Sequence, residues 1–246
     1  MRRKLLITVL SIMMLIGVSG CMNSGKAVKY TNEQKKEMVL EYLKEKYKEE
    51  FVGMQYMPSE DGMRADSYYV RAQARDESEG FEVWGRVNKK DGTYEMTDGY
   101  FGIYIKDEYE KVMRTFIDEF YSEYKIFIKT DTAGYVPQRL NKDTKIDEIY
   151  KEGEDYGFEA DVYVYVKESD AKDIDIKEAI EKIALKKKEN RLLGEINIFV
   201  IRDDIYDNTD IDTQEKRALL SEKESQVKRA GIYVDLSLEL RRREWD

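Results

Sequence analysis

The chain has no histidine, one cysteine and two prolines among its 246 residues. Without histidine there is no Ser-His-Asp or Cys-His relay, no zinc site built on imidazole, and no side chain whose ordinary pKa sits near neutrality. A lone cysteine cannot close an intramolecular disulfide, so cohesion has to come from burial. Gly-rich phosphate loops, nucleophile elbows and Cys-x-x-Cys pairs are missing as well. So is any surplus of positive charge: 42 Lys and Arg stand against 51 Asp and Glu, a formal net charge of -9. A body of that sign repels phosphate backbones and anionic lipid, so neither nucleic acid nor electrostatic adsorption to a membrane is expected. Any chemistry is left to carboxylates, Lys, Tyr and Ser/Thr. No cofactor is expected.

What is present begins at the N-terminus. Met1-Arg2-Arg3-Lys4 is basic, Leu5 to Val18 is an apolar run of 14 residues, and Ser19-Gly20 are small. Together they have the form of an export signal, shorter than the about 20 apolar residues a helical membrane span needs. Val18-Ser19-Gly20-Cys21 resembles the lipobox of bacterial lipoproteins. The resemblance implies that residues 1–20 are a removable signal peptide and that the Cys21 thiol receives a diacylglyceryl group. Residues 21–30 then form a lipidated tether on the extracytoplasmic face of the cell membrane. Loss of Arg2, Arg3 and Lys4 leaves 39 basic against 51 acidic residues, about -12, so the lipid on Cys21 would do the holding. An ordinary buried cysteine is the alternative, but the boundary between an export signal and a polar tether offers no core to pack into.

The rest is patterned for packing, with 19 Tyr and 8 Phe. Thr31-Asn32-Glu33-Gln34 forms a capping box, and Val39, Tyr42, Leu43, Tyr47 and Phe51 keep a helical period to about Glu50. A strand is expected over Met54–Met57. Period-two alternation then marks strands through Tyr68, Val70, Ala72 and Ala74 and through Phe81, Val83 and Val87. Asp91-Gly92 marks a hairpin, and Gly99 to Ile105 a late strand. This module, 31–105, resembles small helix-plus-meander domains of uncharacterised lipoproteins of Gram-positive bacteria, and the resemblance brings no catalytic motif.

A second module, 106–246, opens with a helix over Tyr109, Val112, Met113, Phe116, Ile117, Phe120, Tyr121 and Tyr124, then a strand over Tyr124–Lys129. Residues 131–156 are a long connection with one short helix, Lys145 to Tyr150, and mark either a boundary or a binding loop. Beyond it come a strand through Phe158, Ala160, Val162, Val164 and Val166, and a helix capped by Asp175. Next are a central strand, Ile196–Ile201, and a helix capped by Asp212 and ended by Gly231. A last strand runs from Ile232 to Leu240. The expected fold class is α+β: an N-terminal helix on an antiparallel meander, followed by a second α/β-layered sheet region with helices mainly on one face. Residues 42–49 and 116–123 share an aromatic, aliphatic, acidic frame, from a duplicated module or from two amphipathic helices using the same residues.

Candidate chemistry is thin. Asp203, Asp204, Asp207, Asn208, Asp210 and Asp212 suggest calcium, but no register supplies the glycine and glutamate an EF-hand loop needs; helix capping and a turn at Asp207-Asn208 are the alternative. A glycosidase needs a defined carboxylate pair, and 51 acidic residues single out none. Tyr68, Tyr69, Tyr100, Phe101, Tyr104, Tyr163 and Tyr165 offer rings either for a ligand surface or for sheet packing. No catalytic, cofactor or metal residue is named; Cys21 alone carries a role. The expected function is a non-catalytic, membrane-anchored binding or assembly lipoprotein. Its partner would be an envelope protein or cell-wall polymer held by exposed strands or the 131–156 loop. A carboxylate-dependent hydrolase of envelope glycan is the rival. A solute-binding lipoprotein is less supported, because two similar α/β lobes are not evident.

Overall fold

In the computed structural model the described residues are 29–59, 65–76, 79–208, 220 and 225–245. The signal segment, Cys21 and the Asp212 cap lie outside them. The capping box forms as expected: Thr31 Oγ1 accepts from Gln34 N at 3.2 Å and Gln34 Oε1 accepts from Thr31 N at 2.9 Å. Helix α1 spans Asn32–Tyr47 and stops three residues early because Lys48 turns left-handed, at φ 59. Phe51 therefore starts strand β1, Phe51–Met57. Strands β2 (Asp66–Ala72), β3 (Phe81–Val87) and β4 (Tyr94–Asp98) complete an antiparallel meander in sequence order. Gly92, at φ 76, makes the β3–β4 turn. One face of this sheet buries Tyr68, Val70, Phe81 and Val83 against Val39, Leu43 and Tyr47 of α1. Tyr30, the end of the expected tether, is tied down by a 3.1 Å bond from its hydroxyl to Gly92 O.

The late strand expected at Gly99–Ile105 is instead the beginning of helix α2, Tyr100–Ile117. Its first turns are apolar on two sides. Tyr100 and Ile103 enter the α1 core, while Phe101, Ile105, Tyr109 and Met113 enter the core of the second sheet. Burial on both sides fills the polar gaps of a 3.6-residue stripe, and a short continuous apolar run then reads as a strand. Residues 105 and 106 both lie within this helix, which joins the two cores.

The second sheet has the order β5 (Lys125–Thr130), β6 (Ala160–Lys167), β7 (Gly194–Ile201), β8 (Gln226–Val234), β9 (Leu240–Trp245). Strands β6 and β7 are parallel, connected by helix α3, Ile176–Glu189; the other pairs are antiparallel. Asp175 caps α3 by accepting from Lys177 N and Glu178 N. Helices α2 and α3 cover the face bearing Ile128, Val162, Val164, Ile196 and Ile198. The opposite face, with Tyr165, Phe199 and Ile201, is covered by Tyr206 of the short helix α4, Asp203–Asn208, and by Leu220. A protein layer, not an open platform, thus lies over Tyr165. The two sheets differ in topology, and residues 116–123 run past the end of α2, so the shared frame with 42–49 reflects amphipathic composition rather than a repeated unit.

Two expectations near the C-terminus are corrected. Gly231 lies inside β8 and ends no helix, and Ile232 to Leu240 is not one strand. The Asp235 carboxylate accepts from Ser237 N and Glu239 N, both at 2.9 Å, and Leu238 takes φ 57, so the alternating run breaks into a hairpin. Likewise Asp207-Asn208 ends helix α4 rather than making a turn. Arg202 pairs with Asp204 and Lys167 with Asp207; among the described residues no group of His, Cys, Asp and Glu is placed to hold a metal ion.

Candidate functional site

The connection after β5 starts by crossing α2 at close range. Gly99 and Gly102 permit this: a Cβ on Gly99 would fall 2.2 Å from Thr132 C and O, and one on Gly102 2.4 Å from Asp131 O. Glu82 N donates to Thr132 O at 2.8 Å, which ties the segment to the first sheet as well. The Asp131 carboxylate accepts from Ala133 N at 2.7 Å and turns the chain. Gly134 then packs on Trp84, and the Tyr135 ring stands edge-on against that indole at 4.6 Å while remaining 65 % exposed. Gly99→Ala is expected to displace the 131–133 backbone and cost roughly 1–3 kcal/mol, as overpacking does. A lowered urea midpoint with altered Trp84 emission would register both effects; an unchanged midpoint would contradict the close fit.

The long connection is ordered from within. Arg139 clamps it, donating from Nε and Nη2 to the Glu154 carboxylate at 2.6 and 2.9 Å and from its guanidinium to Ile149 O and Glu148 O. Leu140 and Ile149 are buried beneath. The clamp brings the loop's far end back beside its start, so Tyr156, 50 % exposed, lines the same concavity as Tyr135.

The result is a cleft of about 450 Å³ floored by Val136 and Phe158. Asp131, Glu159 and Asp161 line it, with Lys129 opposite Asp161 on the neighbouring strand. Tyr233 Oη donates to Glu159 Oε1 at 2.7 Å and Glu195 N donates to Asp161 Oδ1 at 3.0 Å, so both carboxylates are oriented. A second concavity of about 430 Å³ is lined by Trp84 together with Arg86, Glu95, Thr97 and Gly134.

Two buried polar centres support this region. Asp98 is fully buried at the end of β4 and accepts from Tyr42 Oη, Lys46 Nζ and Tyr47 Oη, each at 2.7 Å. Burial, reinforced by the Asp98 charge, pushes the Tyr42 and Tyr47 phenols far above their ordinary range. Gln138 accepts from Asp98 N at 3.1 Å and so links this centre to the loop. Behind the cleft, Lys187 of α3 is fully buried and donates to Ala160 O, Gly194 O and Glu195 O at 3.0, 2.6 and 3.3 Å. Burial pulls its ammonium down to about 7, against the opposing pull of Asp161, Glu159 and Glu195.

Of the rings picked out in the sequence, Tyr68, Tyr100, Phe101 and Tyr165 are core residues, Tyr104 and Tyr163 are half-buried against the cores, and Tyr69 is half-buried with its ring against Gly80. They build no exposed surface. The loop 131–156 does shape a cleft, through Tyr135 and Tyr156, which sequence reasoning passed over. Their one local signal is that each adjoins a glycine, Gly134-Tyr135 and Tyr156-Gly157, at either end of the loop. Cys21 lies outside the described residues, and among those residues no helix is long and apolar enough to cross a membrane.

The chain is thus an α+β protein of two sheets joined by one shared helix. No family model and no curated protein matches it. Among solved structures it is similar to a DUF5037 family protein from Ruminococcus gnavus, at 16 % identity and TM-score 0.42, over 81 % of this chain and 94 % of that one.

Proposed function

We propose that the protein is a membrane-anchored extracytoplasmic lipoprotein that binds an envelope component, a protein or a cell-wall polymer, without catalysing its turnover. The cleft carries this reading: two exposed tyrosine rings flank one concavity, held there by an ordered loop. Exposed rings over a cavity give large contact area at low entropic cost, which suits recognition. The anchor rests on Val18-Ser19-Gly20-Cys21 and the lipid that motif implies. The test is photo-cross-linking from positions 135 and 156 in intact cells, with fatty-acid labelling of the wild type and of Cys21→Ala. Label on the wild type alone and cross-links to an envelope component are expected. An unlabelled wild type would remove the anchor, and cross-links only to itself would remove the binding role.

The three carboxylates on the cleft favour a second reading, a hydrolase of envelope glycan. Glycosidic cleavage needs one carboxyl kept protonated by apolar surroundings, with a partner about 5–10 Å away. Asp131 and Glu159 are instead exposed, and Asp161 Oδ1 is already engaged by Glu195 N. Release of soluble sugar from cell wall, abolished by Asp161→Asn, would establish the hydrolase.

A further inference from the structure

We infer that the cleft recognises a primary ammonium group carried on an extended peptide, as a lysine side chain carries it; this rests on the binding role proposed above and names its ligand. Among the charged groups on the cleft, acceptors outnumber donors. Asp131, Glu159 and Asp161 are each oriented by a hydrogen bond to one carboxylate oxygen, from Ala133 N, Tyr233 Oη and Glu195 N respectively. Their second oxygens have no hydrogen-bond partner among the described residues. The Thr130 hydroxyl is spent on Gly102 O at 3.0 Å, and Lys129 is the one cation on the lining. Three carboxylates against one ammonium leave the cleft negative, in a chain of net charge -9.

An ammonium has three N–H donors and no acceptor, the complement of such a lining. The exposed faces of Tyr135 and Tyr156 attract the same charge through the ring quadrupole, while Val136 and Phe158 suit an aliphatic stem. A neutral glycan would leave the excess negative charge of the three carboxylates unmatched, which an ammonium does not. The peptide follows from length. Tyr135 lines the cleft and Trp84 the second concavity, and their rings touch, so an extended chain holding its ammonium by Glu159 can continue over that contact.

The experiment uses the full-length protein in detergent micelles and a fluorescent hexapeptide with one central lysine, read by anisotropy. Binding that weakens with salt is expected, and Nε-acetylation of the lysine should weaken it by at least about tenfold. Glu159→Gln and Tyr135→Ala should each weaken it several-fold; both residues are exposed, and an unchanged melting temperature separates this loss from misfolding. Equal binding of the acetylated peptide, or none of either, overturns the inference. Free 1,5-diaminopentane competing at the peptide's own concentration overturns the peptide part and leaves the ammonium. If positions 135 and 156 cross-link an envelope component in cells while the lysine peptide fails to bind, the ammonium inference falls and the binding role stands. If both experiments fail, both fall.

Discussion

Asp98→Ala is expected to destabilise the fold by about 3–5 kcal/mol, the range seen when one partner of a buried ion pair is removed. The carboxylate is fully buried and accepts from Tyr42, Tyr47 and the Lys46 ammonium, whose side chain is itself only 11 % exposed. Removing it takes away the acceptor of the Tyr47 phenol and leaves the Lys46 cation and the Tyr42 phenol to share Gln138 Oε1, with no counter-charge. Asp98 also accepts from Tyr100 N, in the first turn of α2, so the damage reaches the helix that both cores share. For a chain of this length the loss corresponds to a fall in melting temperature on the order of 10 °C. Asp98→Asn keeps the volume but removes the charge and, in either orientation of the amide, turns its NH2 towards two donors, Tyr42 and Lys46 or Tyr47 and Tyr100 N, so it should recover little. A double cycle with Tyr47→Phe separates the network from mere volume. Phenylalanine at 47 should cost distinctly less once Asp98 is alanine, because the hydroxyl has already lost its partner. Calorimetry on the four proteins decides it; a loss under about 1 kcal/mol for Asp98→Ala would mean that water reaches the site and takes over the acceptor role.

Features set by local chemistry could be read from the chain. The Thr31–Gln34 and Asp175–Glu178 caps, the Gly92 hairpin and the alternation of β6 depend on residues within a few positions of each other, and the structure has them where the pattern places them. Features set at a distance could not. The first turns of helix α2, which read as a strand up to Ile105, hide because their two apolar faces belong to two sheets, and no one-dimensional period registers a residue's second neighbour; the helix from Tyr109 to Ile117 is legible. The break at Asp235 hides inside an alternating run because it depends on which amides one carboxylate captures. The cleft is the extreme case. Tyr135 and Tyr156 line one cleft in a loop closed by the Arg139–Glu154 pair, a clamp between side chains 15 residues apart inside a stretch that reads as irregular. With 38 % charged residues, one more Arg and one more Glu carry no signal in the sequence. The proposed lipid anchor is the converse, a reading that rests on four residues, Val18 to Cys21, that lie outside the described structure.

Stability should rise with pH between about 7 and 10, by up to about 1.4 kcal/mol per unit, and Lys187→Met should flatten that slope. The sign follows from proton counting. The folded Lys187 ammonium titrates at about 7 and the unfolded one at its ordinary 10.5. Between those values the unfolded chain holds a proton that the folded chain has released, so raising the pH favours folding; below about 7 both states are charged and the burial penalty stands in full. Absence of histidine makes the slope attributable, since no imidazole titrates in the same window. Above about 10 the direction reverses, because the buried phenols of Tyr42, Tyr47, Tyr94 and Tyr109 stay neutral in the fold while those of the unfolded chain ionise. The stability maximum should therefore be alkaline, which urea denaturation at pH 6, 7, 8 and 9 would reveal as a midpoint that climbs in the wild type and stays level in Lys187→Met. The three carbonyls around Nζ would suit an ammonium, and a flat wild-type profile would mean that they and the carboxylates of Glu159, Asp161 and Glu195 hold the charge in place. A rising profile means that desolvation wins. A neutral amine has two N–H donors for those three carbonyls, and the 3.3 Å contact with Glu195 O is then the one surrendered.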